Sequence, residues 1–344
     1  MATTNLDSAD LKNVALGGLI HEDVMNRIWD ISRIPLPFTD MVGSGSHKNE
    51  YLEWTTDELA APDLNNAVID GSDASGNNTK LGARVGNHSQ ISDKVVRVSY
   101  RADASDTVGR AKELAYQISR RQLELKRDVE AIALSNQASV ADDGNSVAGK
   151  VGGLPAWLET THTNGTPGGF NPSTGLVKAR TPGNAAGLTE RNIKDAIESI
   201  YNEGGDPSQI MSVPSVISKF SEYLFTSSAR VATLTSDQGK SSEKATALGA
   251  VNVYVTDFGT LNLVPNRIQQ TYQSGDSKIV ADVFILDPAY LELSYLQGYR
   301  TDPLAKTGLA ENRQMSVDWT LVVNTEKAHG VIGDIDTAVA VTAG

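Results

Sequence analysis

The chain of 344 residues contains no cysteine. That excludes disulfides, zinc–thiolate centres and a cysteine nucleophile, and it fits assembly in a reducing cytoplasm. Aromatic residues are scarce at 6%, whereas glycine reaches 30 residues, so much loop and extended structure is expected beside the packed cores. No apolar run approaches the roughly 20 residues that cross a bilayer. The opening Met1-Ala-Thr-Thr-Asn-Leu-Asp lacks a basic segment followed by an apolar one, so neither a secretory signal nor a membrane partner is expected. The net charge of −12 repels nucleic acid, which argues against a transcription factor or polymerase. Single cores stop growing near roughly 250–300 residues, so two or three lobes are predicted.

What is present changes character along the chain. Residues 1–21 are polar and read as an arm, and a short helical pattern follows from Glu22 to Ser32 before Pro35-Leu-Pro37 breaks it. Strands are predicted at Glu50–Thr56 and Ser92–Arg101. In the second, Val96, Val98 and Tyr100 alternate with Arg97, Ser99 and Arg101. Between them lies a polar, glycine-bearing stretch that includes Asp70–Asn78. Two extended arms around such a tip describe a long hairpin with too few apolar residues to support itself, so a neighbouring subunit is its natural support. A long helix is predicted next, capped by Ser105 or Asp106. Its stripe of Val108, Ala111, Ala115, Ile118, Leu125, Val129 and Ile132 runs to about Asn136, roughly 45 Å.

Residues 138–187 are punctuated by Gly and Pro, with Leu154, Trp157 and Leu158 as candidate buried anchors. From Leu188 an α/β lobe is predicted. It has a helix capped by Thr189, a strand at Gln209–Val213, a helix from Pro214 to Phe225, and strands at Val251–Thr256 and Leu261–Val264. Val280–Leu286, Tyr290–Tyr295 and Met315–Val323 read as strands of a sheet lying along the long helix.

Chemistry is hard to find. His21, His47, His88, His162 and His329 share no ligand spacing, and each reads as a surface or turn residue. Gly43-Ser-Gly-Ser-His-Lys48 fails the spacing of a phosphate loop, and no G-x-S-x-G elbow presents a serine. Asp142-Asp-Gly-Asn145 lacks the ligand spacing of a calcium loop and reads as a turn. Arg120, Arg121, Lys126 and Arg127 read as the solvated or intersubunit face of the long helix, and Tyr290 and Tyr295 as sheet-packing residues. No catalytic, metal or cofactor site is predicted.

The order arm, long hairpin, long helix, α/β lobe and returning strands resembles the major capsid proteins of tailed bacteriophages. Their fold is shared with herpesvirus shell floors and encapsulins. Val255-Thr-Asp-Phe-Gly259, Leu263-Val-Pro-Asn-Arg267, Phe284-Ile-Leu-Asp-Pro288, Leu304-Ala-Lys-Thr-Gly308 and Asp318-Trp-Thr-Leu-Val-Val-Asn324, followed by Ala328-His-Gly330, carry the resemblance, which spans about residues 20–336. It implies an α+β phage major-capsid fold. Residues 1–47 would be the N-arm, 48–104 the extended hairpin (E-loop), and 105–187 the spine helix with P-domain. The A-domain would follow at 188–272, and 273–344 would be P-domain strands and tail.

The function so implied is that of a non-enzymatic shell subunit forming the hexamers and pentamers of an icosahedral head around double-stranded DNA. It would be assembled in the host cytoplasm and reside in the virion. DNA would be a neighbour only by non-specific proximity. Portal and decoration proteins would be partners, and with no long charged helical segment before the arm, scaffolding would be a separate protein or none. Hairpin-tip residues Asp70, Gly71, Ser72, Asp73, Gly76, Asn77 and Asn78 are the expected intersubunit contacts. An encapsulin-like compartment with enzyme cargo is the alternative within the fold. A cytoplasmic hydrolase built on the α/β lobe is the reading from another class.

Overall fold

The computed structural model describes Ser32, residues 35–71, Asp73, Thr79 and residues 81–105, 112–226, 252–306 and 308–339, with 221–226 described as backbone only. The expected helical pattern at 22–32 lies outside these apart from Ser32, as do Val108 and Ala111 of the expected stripe.

The chain first forms a short helix α1 (Pro37–Met41) and strand β1 (Gly43–Ser46). The hairpin strands β2 (Tyr51–Thr56) and β3 (Ala83–His88) follow, then β4 (Gln90–Ser99) and a five-residue helix α2 (Tyr100–Ala104). The spine helix α3 spans Glu113–Ala133, about 30 Å. It starts later than predicted, with Lys112 at its N-cap position and no side-chain cap bond from that residue. The Asp103 carboxylate accepts from Leu114 N–H at 3.0 Å, and Ser105 instead closes α2 by donating to the Arg101 carbonyl. Only the C-terminal half of α3 is deeply buried, through Leu125, Val129, Glu130 and Ala133; Ala115 is exposed.

After α4 (Leu154–Trp157) come β5 (His162–Thr163), β6 (Gly169–Asn171) and β7 (Leu176–Lys178). The α/β region then contributes α5 (Glu190–Asn202), β8 (Gln209–Ser212), α6 (Pro214–Thr226), β9 (Val253–Thr256) and β10 (Gly259–Pro265). Thr189 caps α5 as expected, accepting from Asn192 N–H at 3.1 Å. The chain ends with β11 (Tyr272–Gln273), β12 (Ile279–Leu286), β13 (Leu291–Pro303), β14 (Ala310–Val323) and β15 (Gly330–Asp336).

Two sheets organise these pieces. The first has the order β1-β13-β14-β4, and α3 packs on one face of it. Val96, Val98, Met315, Val317 and the fully buried Trp319 meet Leu125 and Val129 there, and Lys94 pairs with Asp128 across the seam at 2.6 Å. The second has the order β5-β15-β12-β8-β10-β9, covered by α5 and α6. Val280–Leu286 therefore does not join the sheet along the spine, contrary to expectation. It is the middle strand of the second sheet, between β15 and β8, and every one of its residues after Ile279 is buried. A strand buried on both faces reads as a continuous apolar run, which does not say which sheet it enters.

The segment 43–48 that superficially suggested a phosphate loop is β1, paired in parallel with β13. The Glu292 carboxylate lies over Gly45, so a side chain added there would have to displace it. Glu130 of α3 is fully buried. It accepts from the N–H groups of Phe38 (3.4 Å) and Thr39 (3.2 Å) and from Asn266 Nδ2 (2.7 Å). One carboxyl so joins the entering chain, the spine helix and the loop after β10. Burial pushes its pKa up.

Candidate assembly interface

The hairpin is built into the body only at its root. There β2 and β3 pair from Tyr51↔His88 to Thr56↔Ala83. The Trp54 ring lies 5.4 Å from Trp157, which stacks on Phe170 at 5.9 Å, and Tyr51 donates to the Gly175 carbonyl. The buried Asn87 amide donates to the Leu321 and Gly152 carbonyls and accepts from Gly152 N–H, which fixes the exit of β3. Past Thr56, the described residues up to Gly82 form no strand.

That stretch carries the four most exposed large aliphatic residues among the described residues, and a fifth close behind. Leu59 and Leu81 are 99% exposed, Leu64 95%, Val68 84% and Ile69 82%. Single exposed aliphatics are ordinary, whereas five on one arm form an uncovered apolar stretch, the kind of surface a candidate contact presents. Of the predicted tip contacts, Asp70, Gly71 and Asp73 are exposed, whereas Ser72, Gly76, Asn77 and Asn78 lie outside the described residues. Gly71 has φ +78°, a conformation that favours glycine. Sequence reasoning pointed to the polar tip and missed the aliphatic flanks. The available signal was isolated Leu, Val and Ile in a polar stretch lacking the period of either helix or strand.

Between the hairpin root and the body lies a groove of about 620 Å³. Trp157, Phe170 and Tyr290 contribute its aromatic lining. Tyr290 thus sits at a groove in a 3-10 turn, outside the sheet predicted for it. Five carboxylates, of Asp57, Glu58, Glu159, Glu203 and Glu326, line the groove against two cations, Arg84 and Lys327. Lys327 bridges Glu58 (2.7 Å) at the hairpin root and Glu203 (2.9 Å) at the end of α5, which tethers the arm to the second lobe. Glu326 accepts from the N–H groups of Glu159 and Thr160.

Two histidines are corrected. His47 is nearly buried, with Nδ1 3.0 Å from Ser294 Oγ and Nε2 2.8 Å from Ser89 Oγ. His329 is fully buried, and its Nδ1 accepts from Asp287 N–H at 3.2 Å. His88 and His162 are half-buried, and His21 lies outside the described residues. Burial penalises the imidazolium of His329 and lowers its pKa to about 4. A folded value below the unfolded one gives stability that is complete above the usual pKa of 6.5 and is lost as pH falls toward 4. At pH 4 that loss is about 3 kcal/mol. Replacing His329 with Gln is expected to flatten the dependence of the urea midpoint on pH between 7 and 4. An unchanged slope would refute this role.

The Asp142–Asn145 segment is a closed turn. The Asp143 carboxylate accepts from the N–H groups of Asn145, Ser146 and Val147, and these bonds hold its pKa far below the usual carboxylate range. Among the described residues no group of three or more His, Asp or Glu side chains could hold a metal ion, and no helix is long and apolar enough to cross a membrane.

A buried polar cluster escaped the sequence reading altogether. Arg180 donates to Asp282 (2.9 Å) and Asp334 (3.0 Å), all three side chains being at most 5% exposed, and the Tyr272 hydroxyl lies within hydrogen-bond reach of both carboxylates, its one proton shared between them. The register of β12 and β15 shifts between Ala281 and Val283, and Asp334 adopts φ +58°. That bulge turns both carboxylates onto one guanidinium. A Cβ at Gly333 would stand 2.1 Å from Arg180 Nη1, so glycine is needed there. Burial raises the pKa of Asp282.

The family described as SU10 major capsid protein matches residues 2–336. The major capsid protein of Escherichia phage Phieco32 is 32% identical over an alignment of 219 residues that covers 55% of this chain and 62% of that protein. The chain thus spans less than two thirds of that relative's length. Among solved structures, the capsid of a native GTA particle aligns with a TM-score of 0.56 at 12% identity, covering 96% of this chain and 100% of the other. The holo-SrpI encapsulin complex from Synechococcus elongatus aligns with a TM-score of 0.52 at 11% identity, covering 96% and 98%. At such identities the likeness establishes the fold, which is that of phage capsid subunits and encapsulins.

Proposed function

Because the chain belongs to the SU10 major capsid protein family, we propose that it is the repeating subunit of an icosahedral phage head that encloses double-stranded DNA. In this reading head-to-tail contacts close into hexamers and pentamers. Residues 188–272 face the ring centre, and arm contacts repeated around the shell sum to a durable particle. Scaffolding, portal and decoration proteins are further partners in this reading, and the subunit resides in the virion. The observation that carries the proposal is the hairpin, whose five aliphatics are each at least 82% exposed. An encapsulin-like compartment shares the fold, but nothing among the described residues favours an enzyme cargo.

Size-exclusion chromatography with negative-stain microscopy tests the reading. Closed particles hundreds of ångströms across are expected, and a discrete small oligomer would overturn it. Deleting Asp70–Asn78 is expected to leave the subunit folded but to weaken shells, read as particles that dissociate at lower denaturant. Particles of normal yield and stability would remove the tip from the interface.

A further inference from the structure

The chain separates its charge into two surfaces that cannot meet within one subunit. The groove at the hairpin root has five carboxylates against two cations. The opposite sign gathers at the far end of β4, where Arg97 and Arg101 are exposed and Lys306 lies over the Tyr100 ring at 5.5 Å. Tyr100 is exposed with them at this basic end, and Ile91 and Val95 are exposed on the strand leading to it.

Strand β14 measures the separation. Val323 at one end lines the groove, whereas Ala310 at the other pairs with Ser99, beside Tyr100 and Arg101. Thirteen residue steps at about 3.3 Å place the two surfaces roughly 40 Å apart. Surfaces of opposite charge at opposite ends of one molecule cannot satisfy each other internally. Between copies they can, and the contact so formed is head-to-tail, the type that closes into rings.

The geometry points to a second copy as the occupant of the groove: the acidic groove of one subunit receives the basic end, Arg97–Arg101, of the next. This rests on the shell reading and says which faces meet. The aromatic lining supplied by Trp157, Phe170 and Tyr290 suits the half-exposed Tyr100, and the carboxylates suit the guanidinium groups. Asp57 lines the groove at the hairpin root, so a neighbour seated there also sets the angle at which the arm leaves.

Charge reversal in the full-length chain tests the pairing. The groove variant carries Asp57→Lys with Glu159→Lys, and the edge variant carries Arg97→Glu with Arg101→Glu. Each alone is expected to lower the yield of rings or shells about tenfold or more in sedimentation, because like charges then face each other. Circular dichroism and the melting temperature of the soluble subunit control for folding. Carrying all four substitutions in one chain swaps the sign of both faces and restores opposite charge at every head-to-tail contact of six- and five-membered rings alike, so assembly is expected to return to within about threefold of wild type. Failure of the fourfold variant to recover, with the subunit folded, overturns the pairing. So does normal assembly of either variant alone. An edge variant that assembles normally but no longer shifts a random-sequence DNA duplex in a gel would assign the basic end to nucleic acid instead. Wild-type chain that forms neither rings nor shells would remove the capsid reading and this interface with it, whereas wild-type particles with indifferent variants would remove the interface alone.

Discussion

Replacing Leu59, Leu64, Val68, Ile69 and Leu81 together with serine yields a subunit that folds normally and forms no shells. Each of these side chains is at least 82% exposed, so none contributes measurably to the subunit's own core. Surface substitutions of that kind stay within about 0.5 kcal/mol of wild type. Fully covering one Leu, Ile or Val on a neighbour is worth about 1.5–3 kcal/mol, which makes five per subunit worth on the order of 10 kcal/mol as an upper bound. Closed particles multiply that loss over every contact, so a modest change in each interface becomes an all-or-none change in yield. Sedimentation and microscopy read the shells, and urea unfolding reads the subunit. Full-size particles at wild-type yield would show that the aliphatic flanks do not form the contact. A fallen urea midpoint would show that they pack within the subunit after all.

Arg180→Met is expected to cost about 3–5 kcal/mol, because it leaves two buried carboxylates without their cation. Set against the roughly 5–15 kcal/mol that holds a typical domain, this is enough to leave much of the protein unfolded at physiological temperature. The damage has a pH signature with a definite sign. The folded-state pKa of Asp282 is already raised by burial in the wild type. A carboxyl of that kind stabilises the fold when protonated and loses that contribution as pH rises through its folded value. Without Arg180 no cation opposes the charge of the buried Asp282, so the deficit of the variant should narrow as pH falls from 8 toward 5. Urea midpoints of wild type and Arg180→Met across that range measure it. A deficit under about 1 kcal/mol, or one that widens toward acid, would mean the cluster is not held together as the distances indicate.

The two experiments separate tasks that one chain combines. The buried Arg180 cluster joins β11, β12 and β15 and keeps the second lobe in one arrangement, whereas the aliphatic arm does nothing until another copy arrives. Lys327 stands between them, pairing the hairpin root with the end of α5. Glu130 plays a comparable part for the entering chain, tying Phe38 and Thr39 to the spine helix.

Much of this was legible in the linear text, for reasons that are local. Thr189 declares a helix start because its hydroxyl serves an amide three residues on, a bond that needs no distant partner. Val96 and Val98 alternate with polar neighbours because one face of β4 meets the spine and the other meets water. Leu154, Trp157 and Leu158 were recognisable as anchors from their apolar character among glycines, and all three are buried. The order of these elements, read with the capsid-like C-terminal text, was enough for the fold, because element order limits how a chain can layer its sheets.

What the text could not supply was anything decided by partners far away along the chain. β1 and β15 were missed, since Gly43-Ser-Gly-Ser46 and the Gly- and Asp-bearing 330–336 lack strand-like composition and are strands because of what lies beside them. The apolar run at 280–286 announced burial but could not choose its sheet. Arg180, Asp282 and Asp334 are scattered over more than 150 residues and meet only because a β-bulge turns two of them inward. His329 reads like any histidine until the fold closes over it.

The sequence by itself determined most of the elements and their order, because caps, periods and turns act over a few residues, and the family followed from the likeness of its text to capsid proteins. Only the tertiary structure decided which charges are buried, where the acidic groove and the basic end lie, and which aliphatics are left uncovered. Those depend on burial, and burial is a property of the whole folded chain.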